Sequence, residues 1–230
     1  MKHVCTATLL TLLLASSSYS QTVVGNWEGA NLDNWYANTT WGGNGNATLT
    51  PGSTMGVTRD QGSLKVQERM GWAWSLTYDV LWDDRAALMA NNTLSMDVTM
   101  LPSDWAYAGS GDAWNMLELH MQGDGVANVS LPAVASYNWD PFNQTSSPVT
   151  LSWDYSAVRA ALASAAATAG KALPDWIQFN LVWNNGGAWS NNDADGAIMY
   201  MDNAVVTPEP VSLALLGLST LSFLRRRRPT

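Results

Sequence analysis

Two stretches of this 230-residue chain alternate polar and apolar side chains in a way that would gather hydrogen-bonding groups on one surface. In WNMLELHMQ, residues 114–122, a period of two sets Trp114, Met116, Glu118 and His120 on one face and Asn115, Leu117, Leu119 and Met121 on the other. In WIQFNLVWNN, from residue 176, the polar face is Gln178, Asn180 and Asn184, while Ile177, Phe179, Leu181 and Trp183 turn inward. LSMDVTM adds Ser95, Asp97 and Thr99 as outward residues. Glu118, His120, Gln178 and Asn180 are therefore candidates for one polar, partly sheltered sheet face. A carboxylate, an imidazole and two amides can donate and accept hydrogen bonds, but covalent chemistry asks for more. The chain has no nucleophile motif, no HExxH pair and no glycine-rich phosphate loop, and His3 is the only other histidine. A carboxylate pair about 5–10 Å apart could do acid–base work. Eighteen acids between residues 21 and 206 make such a pair easy to imagine and weak as an argument.

Strands must carry these residues. Segments 62–69, 72–80, 93–100, 114–122, 148–154, 176–183 and 197–206 read as strands by alternation or by β-propensity. GGNGN, PGS, NN, GDG and NNGG mark turns between them. Two helices interrupt the pattern, one over 84–90 with Asp83 as its cap, the other over 156–169 ending at Gly170. Many short strands at this spacing predict an all-β fold, a β-sandwich with one or two short helices. All thirteen tryptophans lie between residues 21 and 206, and most must fill the core. Trp72, Trp74, Trp105 and Trp189 are the aromatic candidates for the rim of the polar face.

Charge narrows the partners. Residues 21–206 hold six basic side chains against eighteen carboxylates, a net charge of −12. That field repels nucleic acid and suits neutral glycans or cations. Residues 1–20 have the form of a signal peptide: Lys2, an apolar stretch from Val4 to Ala15, and small residues at Ser18 and Ser20. Cys5 is the single cysteine and lies in that segment, so the exported body is held by its core, with or without a metal, and not by disulfides.

The segment from 207 to 230 resembles the PEP-CTERM sorting signal of exported bacterial proteins. Pro208, Glu209 and Pro210 precede an apolar run, Val211 to Leu224, and the run ends at Arg225, Arg226, Arg227 and Arg228. The apolar run would be a C-terminal hydrophobic sorting helix of roughly 21 Å, shorter than the ~30 Å hydrocarbon core. The arginines would stay cytoplasmic by the positive-inside rule. The resemblance implies processing by an exosortase-type membrane protease, transient inner-membrane anchoring through this helix, and delivery to the envelope or extracellular matrix of a Gram-negative-type bacterium that makes exopolysaccharide.

Residues 21–206 also resemble a known family. GNWEGANLDNWY near the start, GSLKV, LSMDVTM, LELHMQGDG and the closing IMYMDNAVV follow one another as in jelly-roll carbohydrate-binding modules of the galactose-binding-like type. The resemblance implies one structural Ca2+ where the first and last strands meet, with Glu28 and Asp202 as acidic ligands and carbonyls near 31–33 and 55–70 completing the six to eight oxygens. SNNDADG at 190–196 carries oxygen ligands too, but lacks a bidentate acid at calcium-loop spacing. The resemblance further implies a sugar across a sheet face or on end loops, held by aromatic stacking and by amide and carboxylate hydrogen bonds. Polysaccharide binding without catalysis is thus the expectation. A purely structural surface or biofilm-matrix protein is the alternative, and a polysaccharide lyase or glycosidase the lesser one.

Overall fold

The structure, a computed structural model, describes residues 21–38, 47–68, 71–99, 114–132, 147–186 and 197–207; for some strand residues, Trp72, Trp74 and Asn184 among them, only the backbone is described. The expected signal peptide, Trp105, Trp189, the 190–196 stretch and the sorting segment from Pro208 to Arg228 lie outside the described residues. Among those described, no helix is long and apolar enough to cross a membrane.

Among the described residues eleven strands run in chain order as β1 Thr22–Gly25, β2 Trp35–Asn38, β3 Thr48–Ser53, β4 Ser63–Glu68, β5 Gly71–Asp79, β6 Thr93–Thr99, β7 Trp114–Gly123, β8 Val126–Ser130, β9 Val149–Asp154, β10 Ile177–Gly186 and β11 Ala197–Thr207. They form two antiparallel sheets. One has the order β3-β4-β11-β6-β9 with β1 also paired to β11; the other is β2-β5-β10-β7-β8. Only β3–β4 and β7–β8 are neighbours both in sequence and in a sheet, so every other connection crosses between layers. This is a β-sandwich of the jelly-roll kind, as the strand pattern predicts. Its helices, α1 Arg85–Ala90 and α2 Ser156–Thr168, sit in the β5–β6 and β9–β10 crossings. The N-cap of α1 is Asp84, not Asp83, and its side chain makes no cap hydrogen bond. Tyr155 precedes α2, and the Asp154 carboxylate accepts the Ser156 N–H at 2.8 Å, serving a cap's purpose one residue early.

Alternation builds the core. Leu76 and Tyr78 of β5, Leu117, Leu119 and Met121 of β7, and Ile177, Phe179, Leu181 and Trp183 of β10 are buried against Leu64, Val66, Leu94, Met96, Met199 and Met201 of the facing sheet. Trp27 meets Trp35 edge-on at 5.8 Å, and Trp35 stacks on Tyr78 at 5.3 Å. The Trp35 indole N–H donates to the Val24 carbonyl at 2.9 Å, so this ring is buried without an orphaned donor. Gly123 lets α2 approach β7, because a Cβ there would lie 2.6 Å from Leu162 Cδ2 and 2.8 Å from the Trp176 carbonyl oxygen.

The outer face of the six-stranded sheet is not open over β11 and β6. The segment from Thr54 to Gly62, between β3 and β4, lies across it. Gly56 takes φ +68° and sits so close that a Cβ would fall 2.4 Å from Tyr200 Cβ. Asp202, on β11 opposite Asp97 of β6, is wholly buried beneath this segment. Its Oδ2 accepts the Thr58 and Arg59 amides at 2.6 and 2.7 Å and the Thr58 hydroxyl at 3.1 Å, and its Oδ1 accepts the Asn203 amide at 2.6 Å. Thr99, expected to point outward, does so but is buried under the same cover.

Removing this carboxylate strands three backbone donors, the Thr58, Arg59 and Asn203 amides. Asp202→Ala should lower the unfolding free energy by about 2–4 kcal/mol in urea melts, since an unsatisfied buried donor costs ~1–3 kcal/mol. Burial pushes the Asp202 carboxyl above the usual aspartate range, against the hydrogen bonds from Thr58, Arg59 and Asn203 that pull it down. The folded chain therefore holds this proton where the unfolded chain has lost it. That contribution is complete below the ordinary aspartate pKa and fades as pH rises through the folded value, so the advantage of wild type over Asp202→Ala should shrink across that window.

Candidate functional site

The outer face of the five-stranded sheet carries the polar residues singled out from the alternation. One row crosses the whole sheet: Tyr36 of β2 opposite Thr77 of β5, Thr77 opposite Asn180 of β10, Asn180 opposite His120 of β7, and His120 opposite Ser130 of β8. In the next row toward the ends of β5 and β7, Asp79 faces Gln178 and Gln178 faces Gln122. The expectation that Glu118, His120, Gln178 and Asn180 share one sheet face is met in the register.

These groups are bonded to one another. Thr77 Oγ1 donates to Asn180 Oδ1 at 2.7 Å, and Asn180 Nδ2 donates to Gln178 Oε1 at 3.2 Å. Gln122 Nε2 also donates to Gln178 Oε1, while Gln178 Nε2 donates to Asp79 Oδ1 at 2.7 Å and reaches Tyr36 Oη at 3.4 Å. Burial, with the Asp79 charge and its hydrogen bond added, pushes the Tyr36 phenol above the usual tyrosine range, so Tyr36 remains a donor at neutral pH. On the far side His120 is satisfied at both nitrogens, Nε2 by Glu118 at 3.1 Å and Nδ1 by Asn128 at 3.2 Å.

Exposure is graded along the face. Thr77 is 0% and Asn180 7% exposed, whereas Asp79 is exposed and Tyr36 is 40% exposed. The accessible end is the Asp79–Gln178–Tyr36 end. Trp176, 42% exposed, has the same strand parity as Gln178 and Asn180 just beyond the start of β10. Tyr36, Asp79, Gln122 and Trp176 were not among the expected site residues, although Trp176 stands two before Gln178 and could have been found by parity alone. Trp74 sits in register opposite Trp183, and Trp72 and Trp74 have described backbones only. Of the six tryptophans with described side chains, Trp27, Trp35, Trp153 and Trp183 fill the core, while Trp82 and Trp176 are exposed.

Among the described residues, Asp79 and Glu118 are the carboxylates of this face. They lie two strands and four residues apart, which is roughly 16 Å from strand spacings of ~4.8 Å and ~3.3 Å per residue. That exceeds the separation a two-carboxylate glycosidase uses.

Glu28 and Asp202 do not fit a shared calcium ion. Calcium needs oxygens, but the 58–62 backbone presents N–H groups to both carboxylates. Besides the donors on Asp202, Glu28 Oε1 accepts the Gln61 and Gly62 amides at 2.8 and 3.0 Å. Asp33 Oδ2 likewise accepts the Asn26 and Trp27 amides at 2.9 and 2.8 Å. Among the described residues no three His, Cys, Asp or Glu side chains group to hold a metal. Through these hydrogen bonds the two carboxylates tie the 58–62 segment between the first and last strands.

No family model matches the chain, and no curated protein matches it. Several solved structures align along most of their length at low identity. The CBM22-1 xylan-binding domain from Paenibacillus barcinonensis Xyn10C is 10% identical with a TM-score of 0.45, over 83% of this chain and 97% of that one. The C-terminal family 22 carbohydrate binding module of Clostridium thermocellum Xyn10B is 12% identical with a TM-score of 0.44, over 85% and 97%. The family 11 module from Clostridium thermocellum, in complex with a β-1,3-1,4-mixed-linked tetrasaccharide, is 14% identical with a TM-score of 0.40, over 84% and 98%.

The network makes unequal demands on its members. Asn180→Ala, which removes bonds to Thr77 and Gln178 at the buried end, should cost about 1–3 kcal/mol in a urea melt. Glu118→Gln, at a partly exposed site, should change stability by less than ~0.5 kcal/mol.

Proposed function

We propose that the domain is a non-catalytic polysaccharide-binding module whose ligand lies on the outer face of the five-stranded sheet, at the Asp79–Gln178–Tyr36 end. The observation that carries this is the bonded set of amides, carboxylate and phenol, fixed across β2, β5, β10 and β7 before any ligand arrives. Sugar hydroxyls need donors and acceptors in fixed positions, and preorganised groups spare the ordering cost of binding. Tyr36 supplies an exposed ring in the same place. An uncharged glycan suits a face whose free charge is negative, and a uronate polymer does not.

Delivery belongs to the same proposal. Residues 1–20 would export the chain, and 207–230 would anchor it in the inner membrane until an exosortase-type protease acts. The support is the order of Pro208-Glu209-Pro210, apolar run and Arg225 to Arg228 in the sequence.

Two experiments test these parts separately. The purified chain should be retained on one or more neutral β-linked glycans and not on uronate polymers, and Gln178→Ala should abolish retention at a temperature where circular dichroism shows the variant still folded. Retention that survives Gln178→Ala would remove the site, and release of reducing ends or unsaturated products would replace binding by catalysis. For delivery, changing Arg225, Arg226, Arg227 and Arg228 to serine should prevent arrival at the envelope; unchanged arrival would refute the sorting role.

A further inference from the structure

The accessible end of the five-stranded sheet continues into an aromatic cluster that the hydrogen-bonded face does not use. Past the Asp79–Gln178 pair, Val80 N–H donates to the Ile177 carbonyl at 3.0 Å, so the backbones remain paired for one more step. This brings Leu81 and Trp176 to neighbouring positions just beyond the two strands. Trp82 follows. Leu81 is 48% and Trp82 63% exposed, so both exposed tryptophans with described side chains are at this end.

Trp82 is backed by a guanidinium. The Arg85 Cζ lies 4.7 Å from its ring centroid, within cation–π range. Arg85 is itself held, donating from a terminal nitrogen to the Pro174 carbonyl at 3.3 Å and from Nε to the Val80 carbonyl at 3.5 Å. Pro174 stands two residues before Trp176, so Arg85 ties the Trp82 turn to the segment that carries Trp176. One face of the Trp82 ring is thus supported, and the other is turned to solvent.

The chemistry of the surroundings selects the occupant. Asp79 and Asp83 are exposed here, while Arg85 is engaged and Lys171 is paired with Asp175. An anionic lipid surface or an acidic polymer would meet uncompensated carboxylates. A supported indole face with carboxylate acceptors beside it suits the C–H face and hydroxyls of an uncharged pyranose.

We propose that Trp82 and Trp176 form a second stacking station, continuous with the Asp79–Gln178–Tyr36 site, for further units of the same neutral glycan chain. The proposal rests on the polysaccharide-binding reading given above. From Asn180 to Trp176 is four strand residues, roughly 13 Å at ~3.3 Å per residue, and Trp82 extends the track beyond that. The ligand is then an interior stretch of polymer several sugars long, not a chain terminus or a single sugar.

Calorimetry of the full chain with xylo-oligosaccharides from two to six units tests this. Wild-type affinity should rise with each added unit. Trp82→Ala should weaken the hexasaccharide roughly tenfold, the scale of an aromatic hot spot, leave the disaccharide unchanged and flatten the rise between them. Trp82→Tyr should restore most of the loss, and Tyr36→Ala should weaken every length. If Tyr36→Ala weakens binding while Trp82→Ala and Trp176→Ala leave the hexasaccharide unaffected, the second station is wrong and the first stands. If no oligosaccharide binds wild type, the binding reading fails and takes this proposal with it. Concentration-dependent dimerisation abolished by Trp82→Ala, with hexasaccharide affinity unchanged, would assign the cluster to a second copy of the chain and overturn the glycan assignment.

Discussion

The register of β10 is the constraint on which both the core and the candidate site depend. This strand lies at the centre of its sheet, paired with β5 on one side and β7 on the other. Its odd-numbered residues Ile177, Phe179, Leu181 and Trp183 are almost fully buried. Its even-numbered residues Gln178 and Asn180 hold the outer network together. A slip of one residue would exchange the two sets, putting amides into an apolar layer and four large apolar side chains outside. The cost of that exchange fixes the register, and the register in turn aligns Tyr36, Thr77, Asn180 and His120 in one row. The polar face therefore follows from packing: the energy that holds the amides in place comes from the apolar side chains on the opposite side of the same strand.

The two outer faces of the sandwich are put to different uses. On the six-stranded sheet, the 54–62 segment is bound down by Asp202 at one end and Glu28 at the other, and Gly56 packs against Tyr200. That face is spent on joining the first, fourth and last strands. Asp97 adds to the same closure, accepting from Thr58 Oγ1 at 2.7 Å and Asn203 Nδ2 at 3.1 Å. On the five-stranded sheet the burial decreases from Thr77 and Asn180 toward Asp79, and the polar groups are fixed yet reachable at that end. A ligand surface needs that combination. Groups with no mutual bonds would lose conformational freedom on binding, and groups wholly buried could not bind at all.

Much of this was legible in the sequence, and the exceptions have physical causes. The long central strands alternate clearly because one face is core and the other is not; β7, β10 and β11 were readable within a few residues. The strands β1, β2, β3 and β8 were missed. Each is four to six residues long, β2, β3 and β8 are sheet edges, and β3 contains Pro51 and Gly52, which by themselves signal a turn. Missing β2 meant missing Tyr36. The sequence points to Glu28 and Asp202 near the join of the first and last strands, and in the structure each accepts backbone amides of the 58–62 segment. Whether a loop turns carbonyls or amides toward a carboxylate is decided by its backbone path, here one with Asp60 at φ +58° and Gly56 at φ +68°, and side-chain identities do not reveal that path. Composition says that most tryptophans must be buried, and only register separates the buried Trp183 from the exposed Trp176.

The most direct measurement is a nuclear magnetic resonance titration of the chain with a soluble neutral oligosaccharide, following the side-chain amide signals of Gln122, Gln178 and Asn180. The account predicts that these signals shift together and saturate, while the Asn203 side-chain amide, beneath the closed face of the other sheet, stays where it is. Saturable shifts at Asn203 with none at Gln178 would place the ligand on the wrong sheet and contradict the account.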